Sequence, residues 1–77
     1  MSLPDQILKL PPAKLLGLQD SLVEIGLVLE MGGDYKALIR KKIIQHPVGI
    51  LCKIYKALLK VNSKELDKIL AEIVIST

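Results

Sequence analysis

Tryptophan and phenylalanine are absent from this chain, and its only aromatic side chains are Tyr35 and Tyr55. Any core must therefore be aliphatic, and 30 of the 77 residues are Leu, Ile or Val. Cysteine occurs once, at Cys52, and histidine once, at His46. A lone cysteine excludes an internal disulfide, and with a lone histidine it excludes a conventional zinc site as well. No apolar run approaches the ~18 residues that a spanning helix needs, so no membrane span is expected. The opening MSLPDQ lacks the basic and apolar regions of a secretory signal. One unpaired thiol suits a reducing compartment. The chain reads as intracellular and cytoplasmic.

Acidic residues are missing from a whole third of the sequence. Between residues 35 and 60 stand Lys36, Arg40, Lys41, Lys42, Lys53, Lys56 and Lys60 with no Asp or Glu, a formal +7. Residues 1–34 compensate with five acids against two lysines, and residues 61–77 with three against two, leaving +3 for the chain. Charge is thus segregated along the sequence.

The material for catalysis is sparse. A nucleophile needs a base within reach, and one His beside Pro47, with serines at 2, 21, 63 and 76, forms no such arrangement. Asp20 and Glu24, four apart on a helix, read as a solvated pair. Gly32-Gly33-Asp34 precedes a helix but lacks the longer glycine pattern and the Lys-Ser or Lys-Thr of a phosphate loop. No enzyme activity, catalytic residue, cofactor or metal is expected, and Cys52 reads as a small buried hydrophobe.

The periodicity is helical throughout, which predicts an all-α single domain over residues 1–77. Ser2 ahead of Leu3-Pro4-Asp5 predicts a short helix over residues 3–9, stopped at Pro11-Pro12. A long second helix is expected from Pro12 to Glu30. Leu15, Leu18, Leu22, Ile25 and Leu29, spaced 3, 4, 3, 4, line one side of it, and Leu16, Val23, Leu27 and Val28 form a second stripe. Gly17 and Gly26 weaken this helix unless another helix approaches closely there. Met31-Gly32-Gly33 ends it.

Asp34 then caps a helix from Tyr35 to Gln45. Pro47 breaks the pattern, because its ring removes a hydrogen bond and disfavours a helical His46. The partner helix is expected from Pro47 to Val61, with Ile50, Leu51, Ile54, Leu58 and Val61 inward. Lys53, Lys56 and Lys60 fall within about 60° of one another and form a stripe opposite that face. Lys36, Arg40, Lys41 and Lys42 spread more widely, with Ile43 and Ile44 between them. Asn62 and Glu65 open the last helix, whose apolar face is Leu66, Ile69, Leu70 and Ile73. The tail Val74-Ile75-Ser76-Thr77 either frays or packs on a neighbour. Four to five helices in bundle-like or orthogonal packing result.

Two features bear on function. Chains this short commonly need a disulfide, a metal or a partner subunit, and only the last remains open, so a homo-oligomer is expected with Leu15, Leu18, Leu22, Ile25 and Leu29 as its self-association face. The seven cations predict a surface for an anionic partner. The expected function is a non-enzymatic helical adaptor or accessory subunit that docks on an acidic protein. The alternative is a small nucleic-acid-binding protein that contacts phosphates through the same residues, with too little Arg for bidentate base reading.

Overall fold

Three polar side chains set where helices begin. In the computed structural model, which describes residues 2–75 except the side chain of Ile75, Ser2 Oγ accepts from the Asp5 amide at 3.4 Å and starts α1, Leu3–Leu8. Asp34 Oδ1 accepts from the Ala37 amide at 3.0 Å and starts α3, Tyr35–Gln45. Asn62 Oδ1 accepts from the Glu65 amide at 2.8 Å and starts α5, Ser63–Ile75. Each bond satisfies an amide that has no partner within its own helix. Between them lie α2, Pro12–Glu30, and α4, Ile50–Lys60. The long α2 starts without a side-chain cap, and its first-turn proline loses no intrahelical bond there. The fold is all-α, as the periodicity predicts.

The helix ends depend on two glycines with positive φ. Gly32, at φ 74°, reverses the chain after α2, while the amides of Gly32 and Gly33 bond back to the carbonyls of Leu29 and Val28. Those amides are therefore spent on ending the helix. Gly49, at φ 91°, is the cap of α4. That geometry delays α4 to Ile50, three residues later than the Pro47 start expected from sequence. His46 to Gly49 form a corner instead, which leaves Ile50 39% exposed where an inward residue was expected. At the other end, Val74 and Ile75 continue α5, so that half of the expected tail is helical. Ser76 and Thr77 lie outside the described residues.

The helices pack in a closed arrangement. α3 lies against α4, α2 against both α5 and α3, and α1 crosses α5 and α4. The radius of gyration is 11.3 Å, against about 11.5 Å for a compact domain of this length. Every element reaches one core, in which Ile7, Leu18, Leu22, Ile25, Ile39, Ile54, Tyr55, Leu58, Leu66 and Ile73 are essentially inaccessible. All four residues of the expected α5 face are buried. A Cβ at Gly26 would meet Leu70 Cδ1 at 3.5 Å, an ordinary van der Waals contact, and one at Gly17 would meet nothing within 4 Å. Close approach of another helix therefore requires neither glycine.

Candidate functional site

The cations divide by helix. On α4 the buried side chains Cys52, Ile54, Tyr55 and Leu58 take one side, and Lys53, Lys56 and Lys60 are exposed on the other, as their spacing predicts. On α3 the core claims Ile39, with Tyr35, Leu38 and Ile43 packed around it. Lys36, Arg40 and Lys41 are exposed, spread over an arc of about 140° of that helix. None of these six cations has an ion-pair partner among the described residues.

Lys42 is different. Its register turns it to the α2 side, where its Nζ meets Glu24 Oε2 at 3.4 Å with the Lys side chain only 17% exposed. Of the seven cations expected to face an anionic partner, six thus have no ion-pair partner among the described residues and Lys42 has one. Nothing in the spacing of Lys41 and Lys42 separates them; the packing of α3 on α2 does. Glu24 is accordingly an ion-pair partner, while Asp20 is exposed without one among the described residues.

α2 calls for a larger correction. The regular stripe Leu15, Leu18, Leu22, Ile25, Leu29 faces the chain's own core: Leu18, Leu22 and Ile25 are buried, and Leu15 and Leu29 pack partly covered against them. It is not available to a second copy. The neighbouring stripe is, with Leu16 63% and Leu27 55% exposed and Val23 between them. A helix that is apolar nearly all round leaves the choice of inward side to its neighbours, and α5 settles it.

Beside the exposed stripe runs an open groove of about 480 Å³ between α2 and α5. Val23, Gly26 and Leu27 form one wall, Leu70, Ala71 and Val74 the other, and Glu30, Lys64 and Asp67 stand among them. Its lining is largely apolar with mixed charge, and Ser63 is part of it beside Lys64 and Asp67. Sequence reasoning missed Gln19, which is buried on α2 with Nε2 unpartnered among the described residues. The signal lay in its register, since it sits between the buried and exposed stripes.

The remaining reactive side chains stand apart. Cys52 is free and buried. His46 lies exposed at the α3–α4 corner, its ring stacked on Tyr55 at a centroid distance of 6.0 Å. Among the described residues no three His, Cys, Asp or Glu side chains gather as metal ligands, and no helix is long and apolar enough to cross a membrane. Comparison with protein-family models, with curated proteins and with solved structures finds no match to this chain.

Proposed function

We propose that the chain is a non-enzymatic interaction module, a small helical adaptor or accessory subunit that self-associates and presents the α3–α4 side to an anionic partner. The observation that carries this reading is the coexistence of two unlike uncovered surfaces on one small body. Six exposed cations without ion-pair partners among the described residues stand on α3 and α4, and an exposed aliphatic stripe with a groove beside it lies along α2 and α5.

The α2 stripe supports self-association. Full burial of a Leu or Val side chain is worth ~1.5–3 kcal/mol, and much of that remains unrealised at Leu16, Val23 and Leu27. A contiguous apolar face with Glu30 and Asp67 nearby is the make-up of a protein contact with a polar rim. The cations support the second surface, because unpaired lysines on one helix stripe attract anions without ordering a fixed geometry.

Phosphate binding to nucleic acid is the second reading, favoured by the lysine stripe of α4. Sedimentation at micromolar concentration and an affinity pull-down with and without nuclease test both. A dimer or larger species, with partners retained after nuclease, is the expected result. A strictly monomeric chain whose captured material vanishes with nuclease overturns the adaptor reading in favour of the nucleic-acid one.

A further inference from the structure

Residues 44–50 are all exposed, the longest such run among the described residues, and none of the seven is charged. The stretch contains Ile44, 77% exposed, and Val48, 82% exposed, together with Ile50, 39% exposed. Cations bracket it. Ile44 follows Arg40 by one helical turn on the solvent side of α3, and Ile50 precedes Lys53 by one turn on α4. From Tyr35 through Lys64 there is no acidic residue. We propose that this corner docks on an anionic lipid bilayer, with Ile44, Val48 and Ile50 entering the interface and Arg40, Lys41 and Lys53 meeting its headgroups.

The inference rests on the reading of α3–α4 as an anion-facing surface and names the anion. A nucleic acid would satisfy the lysines but leave three aliphatic side chains against phosphates. A protein partner would need a hollow shaped to fit a projecting corner. A bilayer interface accepts such a tip whatever its shape, and supplies negative charge at the same depth as the flanking cations. Pro47 has its own φ fixed by its ring, which limits the freedom of the corner that docking would have to order.

Charge and insertion contribute in different proportions. Each Lys or Arg near an anionic surface raises partitioning roughly fivefold, an effect that salt screens. Tryptophan and phenylalanine are absent, so insertion alone is weak and a neutral bilayer should hold little protein.

The full chain is sedimented with vesicles of phosphatidylcholine alone and of phosphatidylcholine mixed with phosphatidylserine. Pelleting is expected with the anionic vesicles only, and it should decline as salt rises. Ile44→Asp/Val48→Asp should lower partitioning by at least about tenfold with helicity unchanged. Val48→Trp places a sole tryptophan at the tip, and its emission should shift to the blue on anionic vesicles. That variant keeps the test open even if the double one misfolds. Equal pelleting with both vesicles, undiminished binding of the Asp variant, or no emission shift overturns the proposal. If anionic vesicles fail while duplex DNA or polyaspartate is captured and Lys53→Glu/Lys56→Glu/Lys60→Glu abolishes that capture, the lipid assignment falls and the anion-facing surface stands. If every anionic probe fails, both fall.

Discussion

Lys42 Nζ and Glu24 Oε2 lie 3.4 Å apart and join α3 to α2 across eighteen residues of sequence. The pair separates Lys42 from Lys41, its neighbour in sequence, which is exposed with no ion-pair partner among the described residues. Two adjacent lysines therefore stand in different surroundings.

Lys42→Ala should lower stability by about 0.2–1 kcal/mol, the range for a pair with one half-exposed member, and should leave capture by anionic ligands nearly unchanged. Lys41→Ala should do the reverse. Urea denaturation and a binding titration on the same two variants check both halves. Equal losses of anion capture would place Lys42 back among the available cations.

On α2 the two apolar stripes should respond oppositely. Leu22 is fully buried, so Leu22→Ala should cost about 2–5 kcal/mol through the cavity it leaves. Leu27→Glu sits on the exposed stripe and should leave the fold within about 0.5 kcal/mol of the parent, yet drive an oligomer to monomer in sedimentation. An oligomer indifferent to Leu27→Glu and to Leu16→Glu would move the self-association face elsewhere.

These residues also show what the sequence makes legible. Helix starts are local chemistry: Ser2, Asp34 and Asn62 each cap an amide within three residues, so α1, α3 and α5 could be read before any packing was known. The side of a helix that turns inward is not local. On α4 and α5 polar residues occupy one arc and leave a single choice, and Lys53, Lys56 and Lys60 are exposed. On α2 apolar residues occupy more than one arc, and regularity of spacing does not say which stripe turns inward: the more regular one is the core. The start of α4 depends on the backbone angle of Gly49, which no pattern of side chains announces.

Glycine substitution should expose that difference. Gly49→Ala forces an L-residue into φ 91° and should destabilise by about 1 kcal/mol or more, with loosening of the corner that carries Val48. Gly17→Ala meets nothing within 4 Å in the interior of α2 and should stabilise by about 0.5–1 kcal/mol. Thermal melts of the two variants should move in opposite directions. Parallel shifts would contradict the corner geometry.

Gln19 tests the edge between the buried and exposed stripes. Its side chain is more than nine-tenths buried, and its Nε2 lacks an acceptor among the described residues, so the amide has been desolvated without return. Gln19→Leu removes that group at similar volume and should raise stability by about 1 kcal/mol, or roughly 4–8 °C in Tm for a chain of this size. Gln19 precedes Val23 by one helical turn and follows Leu16 by another, on the margin of the exposed stripe. If a second copy supplies the missing acceptor across that stripe, the same substitution should stabilise the monomer while weakening the oligomer. Melting followed over a range of protein concentrations separates the two effects. A plain loss of stability at every concentration would mean that the amide is satisfied in the monomer and that its burial is part of the fold.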